Sequence, residues 1–228
     1  EWCFLMAADK REPFFSSGTL VTIRSLQATN PNIPIVVAYS DLDDSQIKQL
    51  AGCETIKVAS NAFNADHRPD MGTTTFLRFY ATDLSYSRVV YIDSDMIITD
   101  KLDHIFLNPC PLMARAVDLP LNKDFRDAKL ATKKYPLREG YPVINAGIMA
   151  YSTPYWRKRN PLEACTALAS GSGWDFFLNP DQAMWLVIAY LNGGFGRLDH
   201  KDNFMTWSDM RPAEGKTITS STGHLTAL

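Results

Sequence analysis

Two aspartates one residue apart follow the most clearly strand-like run in the chain: Val89-Val90-Tyr91-Ile92, then Asp93-Ser94-Asp95. Four such residues predict a buried strand, and in open α/β sheets ligands bind at the carboxyl ends of the strands. Carboxylates at i and i+2 of a tight strand exit can face one cavity. Unpaired they repel, so the pattern asks for a cation between them. Hard oxygen donors favour Mn²⁺ or Mg²⁺, the ions that bridge diphosphates. The plainer alternative is a solvated turn with Asp as turn former.

Five further residues are of types that need a partner. Arg78 is a permanent cation in a mostly apolar helical stretch, where it requires a partner: a bound ligand together with an Asp, or an ordinary interhelix salt bridge. Asn145 lies in an apolar strand and costs stability unless hydrogen-bonded, to a bound ligand or as a turn or strand-end cap. Asp181-Gln182 follows Pro180 at a predicted helix start, where Asp also serves as a cap or first-turn residue. Asp118 ends the Leu112–Val117 run, either at a ligand or in a simple turn.

These side chains need elements to position them. Trp2–Ala8 reads as a buried first strand, stopped by Asp9-Lys10-Arg11. Ser16-Ser17-Gly18 offers N-cap chemistry for a helix from Leu20 that Pro31 stops. Ile33–Tyr39 is a second strand, Ser45–Leu50 a short helix with Ile47 and Leu50 inward, and Thr55–Val58 a third, edge strand. That alternation marks an α/β fold with a mainly parallel sheet. Asn61–Gly72 reads as a loop and Thr73–Leu84 as a helix. Arg88–Ile92 is the clearest strand, and Met96–Ile98 is expected to extend it. Leu112–Val117 and Val143–Tyr151 are later strands, Arg126–Gly140 an exposed loop or surface helix, and Leu162–Leu168 and Asp181–Leu191 late helices. Met184, Trp185, Tyr190 and Phe195 are expected in the core; Phe204, Met205 and Trp207 could stack on a sugar.

The chain has 228 residues, 46% hydrophobic and 21% charged, and its 23 Lys and Arg against 25 Asp and Glu give a net charge of −2. The length predicts one domain over residues 1–228. No basic field exists to hold a nucleic-acid backbone, and no apolar run is long enough to span a membrane as a helix. Cys3, Cys53, Cys110 and Cys165 are scattered without metal spacing and read as small apolar residues. The expected compartment is the cytoplasm, with a leader or anchor before Glu1 left open; a homodimer is also left open. No G-x-G-x-x-G follows the first strand and no G-x-x-x-x-G-K-[ST] occurs, which disfavours dinucleotide enzymes and nucleotide hydrolases. Aspartyl-phosphate phosphatases also use D-x-D after an apolar strand, with the first Asp, here Asp93, as nucleophile. They place it on their first strand, whereas several strands precede Asp93.

Six segments, in order, resemble glycosyltransferase family 8. Phe4-Leu5-Met6-Ala7-Ala8-Asp9 looks like the strand and loop that hold nucleobase and ribose. Phe76-Leu77-Arg78-Phe79-Tyr80 resembles the helix whose Arg lies near the donor sugar. Tyr91-Ile92-Asp93-Ser94-Asp95-Met96 is similar to the metal-binding D-x-D, and Leu102-Asp103-His104-Ile105-Phe106 to its continuation. Asn145-Ala146-Gly147-Ile148-Met149 resembles the N-A-G strand and Pro180-Asp181-Gln182 the D-Q pair.

The resemblance implies a GT-A nucleotide-diphospho-sugar transferase fold, with a single mainly parallel mixed sheet flanked by helices. It implies Mn²⁺ or Mg²⁺, a UDP-sugar donor, and transfer of glucose or galactose with retention. The acceptor would be a saccharide, lipid-linked glycan or protein hydroxyl. Asp93, Asp95 and His224 would be metal ligands. Ala7, Ala8, Asp9, Arg78, Asp93, Ser94, Asp95, Asp118, Asn145 and Ala146 would bind the donor, and Asp181 and Gln182 would be catalytic. Gly223-His224-Leu225-Thr226-Ala227-Leu228 departs from the family's H-x-x-G-x-x-K-P-W pattern, with Ala227 in place of Gly and no Lys-Pro-Trp. The site's last piece is therefore expected beyond Leu228. A catalytically silent nucleotide-sugar or glycan binder remains the alternative.

Overall fold

The apolar runs Trp2–Ala8, Ile35–Tyr39 and Arg88–Ile92 become adjacent parallel strands covered on both faces, which is why they read as near-continuous hydrophobic stretches. The structure is a computed structural model and describes residues 1–11, 14–59, 73–203 and 225–226. In chain order the elements begin with β1 (Trp2–Ala8), a π-helical turn (Phe14–Thr19), α1 (Leu20–Thr29), β2 (Ile35–Tyr39), α2 (Asp44–Gln49) and β3 (Glu54–Lys57). A 3₁₀ helix (Thr73–Thr82), β4 (Arg88–Ile92), β5 (Met96–Ile97), α3 (Asp103–Leu107), β6 (Leu112–Val117) and α4 (Ala128–Lys134) follow. β7 (Val143–Ser152), α5 (Thr153–Arg157), α6 (Pro161–Ser172), α7 (Pro180–Leu191), β8 (Gly196–Leu198) and β9 (Leu225–Thr226) complete the described chain.

Seven strands form one sheet in the order β3-β2-β1-β4-β7-β6-β8. β1, β2, β3 and β4 run parallel, β7 is antiparallel to β4 and β6, and β8 is parallel to β6. Side chains alternate between two cores: Cys3, Leu5, Ala7, Val89 and Tyr91 on one face, and Phe4, Met6, Ala8, Val90 and Ile92 on the other. α7 closes the first face with Met184, Trp185 and Leu186; α1 covers the second with Ile23 and Leu26. The four cysteines are free thiols, Cys3 and Cys165 buried and Cys53 and Cys110 partly so. No helix among the described residues is long and apolar enough to cross a membrane.

Several expectations need correction. Ser16-Ser17-Gly18 do not cap α1: they lie inside the π-helical turn, and the N-cap Thr19 makes no side-chain cap bond. Met96–Ile97 does not extend β4 but pairs with Leu225–Thr226 in a separate two-stranded sheet, because the chain turns at Ser94-Asp95. Thr73–Thr82 is wound as 3₁₀ rather than α-helix. Within Arg126–Gly140 the surface-helix alternative holds: Asp127 caps α4 by accepting from Leu130 N at 2.9 Å, and Ala131 is the residue of that helix that is buried. Asn61–Gly72, Phe204, Met205, Trp207 and His224 lie outside the described residues.

Candidate active site

The end of β4 is held by β7 rather than left as a solvated turn. Asp93 N donates to Gly147 O at 2.8 Å, so the backbone is still paired where the first carboxylate emerges. Asp93 Oδ1 accepts from Tyr91 Oη at 2.8 Å and from Arg78 Nη2 at 3.0 Å. Both bonds fall on one oxygen, leaving Oδ2 as the one available to a ligand. Burial pushes the Asp93 carboxyl up to about 6; Arg78 opposes that rise and Asp95 adds to it. Burial also raises Asp95. Two neighbouring carboxylates at this strand exit are thus both costly to ionise.

Arg78 is the hub. The 3₁₀ helix carries it inward on the side of Phe76, Leu77 and Phe79, all buried. Nη2 also pairs with Asp181 Oδ2 at 3.1 Å, Nη1 donates to Ala146 O at 2.8 Å, and Nε donates to Thr75 O at 3.0 Å. The guanidinium lies 4.6 Å from the Tyr91 ring centroid. Arg78 thus finds its anions in two aspartates of this chain, and its charged form is strongly favoured despite burial. Asp181 points its carboxylate at Arg78, and Asn179, which holds the N-cap position of α7, makes no side-chain cap bond.

The Asn145-Ala146-Gly147 segment is a break in the β6–β7 ladder: Ala114 pairs with Met149 and the next residue, Arg115, with Asn145. The extra residues bulge, and their backbone groups are freed for side chains. Ala146 O takes Arg78, Ala146 N donates to Gln182 Oε1 at 3.3 Å, and Gly147 N donates to Asn145 Oδ1 at 3.1 Å. The other end of the Gln182 amide, Nε2, donates to Asp124 Oδ1 at 2.9 Å. Sequence reasoning passed over Asp124. Its signal is faint: one Asp in a mixed stretch, Asn122-Lys123-Asp124-Phe125, that becomes fully buried when Phe125 bridges to Phe177.

A cavity of about 230 Å³ opens at this strand end, lined by Ala7, Asp9, Arg11, Phe14, Thr74, Thr75, Arg78, Tyr91, Asp93, Ser94 and Asp95. Asp9 is bound by Arg11 through its side chain and its backbone N–H; burial raises the carboxyl, but those bonds outweigh it and the net shift is downward. Gly18 and Thr22, also missed from sequence, brace the D-x-D turn from the other side. A Cβ on Gly18 would stand 2.7 Å from Ser94 O, so glycine permits the close approach. Thr22 Oγ1 donates to Met96 O at 2.6 Å and accepts from Met96 N at 3.1 Å.

The structure therefore brings Ala7, Asp9, Arg78, Asp93, Ser94 and Asp95 to one cavity. Asn145, Ala146, Asp181 and Gln182 join them through Arg78 and the bulge without lining it. Ala8 belongs to the opposite core, and Asp118 is exposed at the end of β6; neither lines the cavity. Among the described residues no three metal-binding side chains cluster. Asp93 Oδ2, left over by the Arg78 pair at Oδ1, and the Asp95 carboxylate nevertheless offer two hard oxygen donors at one cavity, which fits a divalent cation. Leu225, next in sequence to His224, pairs with Ile97 two residues past Asp95.

The glycosyl transferase family 8 profile matches residues 5–206. Glycosyltransferase GlyA of Streptococcus pneumoniae serotype 4 is 26% identical over 150 residues, 62% of this chain and 20% of that protein. The probable glycosyl transferase Gly of Streptococcus gordonii is 26% identical over 149 residues, again 62% of this chain and 20% of its own length. The chain thus spans about a fifth of these relatives. Galactosyltransferase LgtC, crystallised with donor and acceptor sugar analogs, superposes with a TM-score of 0.72 at 15% identity, covering 98% of this chain and 86% of that one. Mouse xyloside xylosyltransferase 1 gives 0.60 at 14% identity, covering 99% and 97%. The sheet order and these likenesses show the GT-A fold. With the profile spanning nearly all of the strands, the chain belongs to glycosyl transferase family 8.

Proposed function

We propose that this glycosyltransferase moves a hexose, glucose or galactose, from a UDP-sugar to a hydroxyl acceptor with retention, using Mn²⁺ or Mg²⁺. The observation that supports this best is the pair Asp93 and Asp95 lining one cavity at the exit of β4, with Asp93 Oδ1 held by Arg78 and Tyr91 and Oδ2 left over. In this reading Asp93, Asp95 and His224 hold the metal. Bound there, it would neutralise the diphosphate and make the nucleotide a better leaving group. Ala7, Asp9 and Ser94 hold the nucleoside end, and Arg78 keeps Asp93 and Asp181 in place. Asp181 and Asn145 hold sugar hydroxyls.

Retention needs either two displacements or attack on the face the leaving group departs from. Two displacements need a carboxylate beneath the anomeric carbon, and position 182 carries an amide, a poor nucleophile. Same-face substitution follows, with a donor phosphate oxygen taking the acceptor proton and the Gln182 carbonyl stabilising positive character on the ring.

A panel of UDP-sugars scored for Mn²⁺-dependent UDP release tests this. UDP-glucose or UDP-galactose should be hydrolysed, and Asp95→Asn should lose the metal-dependent turnover. Donor binding without turnover across the panel would replace this reading by a silent binding module.

A further inference from the structure

Asp124 is a fully buried carboxylate that two neutral amides hold, with no cation paired to it among the described residues. Oδ1 accepts from Gln182 Nε2 at 2.9 Å and from Asn179 Nδ2 at 3.2 Å, while Oδ2 is buried without a hydrogen-bond partner. A buried carboxylate without a cation is costly. Holding two loops together does not require that cost, because the backbone already joins them: Leu178 N donates to Asp124 O at 2.8 Å and Arg126 N to Phe176 O at 3.0 Å. Asn179 Nδ2 adds a bond to Lys123 O at 3.1 Å.

What a carboxylate supplies and an amide does not is a one-sided demand. Ionised, it only accepts, so Gln182 must turn its NH₂ toward Asp124. Ala146 N–H only donates, so the carbonyl must face the bulge. An Asn at 124 could accept or donate and would let the Gln182 amide settle either way round. The same carboxylate also bears on what can stand at 182. A Glu there would put two carboxylates about 2.9 Å apart, where only one can ionise.

We propose that Asp124 is a positioning residue of the donor site: it locks the Gln182 amide with its carbonyl on the Ala146 side, and it excludes an ionised carboxylate from position 182. The inference rests on the reading that places Gln182 at the sugar, and it commits the site to amide rather than nucleophilic carboxylate chemistry. The desolvated environment that raises the Asp124 carboxyl to about 6 still leaves it ionised at neutral pH, with Asp181 as the nearby charge that adds to the rise.

Two measurements on the full chain test it. The first needs no activity: a melting cycle of wild type, Gln182→Glu, Asp124→Asn and the double variant at pH 8. Gln182→Glu should lower Tm by about 6 °C, and Asp124→Asn should restore most of the loss. An equal loss in both backgrounds overturns the exclusion. The second is UDP-sugar hydrolysis by Asp124→Asn, which should melt no lower than wild type and keep KM while kcat falls about tenfold or more. Unchanged kcat overturns the orienting role. A wild-type chain that hydrolyses no UDP-sugar counts against the transferase reading, and the melting cycle then decides the exclusion by itself.

Discussion

Arg78→Met removes the hub while keeping most of its volume. The guanidinium holds two carboxylates through one nitrogen, 3.0 Å to Asp93 and 3.1 Å to Asp181, and two backbone carbonyls through the others. The two carboxylates do not count equally. Asp93 has a third of its side chain exposed, so solvent takes over part of its charge; Asp181 has 7% and no such relief. Breaking a buried pair by deleting one partner costs about 3–5 kcal/mol, and the Asp93 share is discounted, so about 4 kcal/mol is expected. For a chain of this size that lowers Tm by about 12 °C. The sign with pH is fixed too. Without Arg78, the charge that opposes the rise of the Asp93 carboxyl is gone, so that carboxyl moves further above its unfolded value, the variant binds a proton on folding and its stability falls as pH rises through that pKa. Thermal unfolding at pH 8 and pH 5 therefore shows a larger deficit at pH 8. Adding Asp181→Leu recovers part of the pH 8 deficit, because no stranded charge remains beside the helix. A variant that melts with wild type at pH 8, or whose deficit is the same at both pH values, refutes the charge-hub argument.

Gly18→Ala forces a Cβ to within 2.7 Å of Ser94 O, a backbone atom that cannot swing aside. The expected loss is about 1–3 kcal/mol in denaturant unfolding, accompanied by weaker Mn²⁺ binding measured by titration calorimetry; wild-type values in both would show that the turn has room to move. Asp124 makes wild-type stability fall as pH rises from about 4 to about 6. Its folded carboxyl is raised to about 6 from 3.8, so the folded state holds the extra proton in that window, and the loss amounts to about 3 kcal/mol. Asp93 shifts the same way, so Asp124→Asn flattens the slope without abolishing it, as stability measured across pH 4–7 would show.

The parts of the site that lie on strongly patterned strands were legible. Trp2–Ala8, Arg88–Ile92 and Leu112–Val117 are bounded in the structure as their apolar runs predict, since burial on both faces leaves no choice of residue type. Asp93 and Asp95 stand out against that background. What was not legible depends on approach between distant segments. Gly18 reads as a cap or turn residue until Ser94 is brought against it, and Asp124 reads as a surface Asp until Phe125 and Phe177 pair and bury it. β8, Gly196-Arg197-Leu198, has too few apolar residues to announce a strand and exists because β6 offers it an edge. Arg78 was correctly read as needing an anion, but its partners belong to the protein, and spacing alone did not name Asp93 and Asp181 together.

The diphosphate of the proposed donor would meet a crowded electrostatic environment in the cavity. The cations that line it among the described residues are Arg11 and Arg78, and both are already committed, Arg11 to Asp9 and Arg78 to Asp93 and Asp181. Against these two guanidiniums stand three lining carboxylates, Asp9, Asp93 and Asp95, with Asp181 behind them. Such a surface repels an anion, and the chain's overall charge of −2 supplies no wider field to reverse that. Freeing either Arg for a phosphate would strand a carboxylate that is mostly or wholly withdrawn from water. A cation brought in at Asp93 Oδ2 and Asp95 resolves the conflict without breaking any pair, because it uses the two acceptors left over. On the proposed function, Arg11 and Arg78 therefore serve to shape the carboxylates, and a cation held by Asp93 and Asp95 would meet the anion.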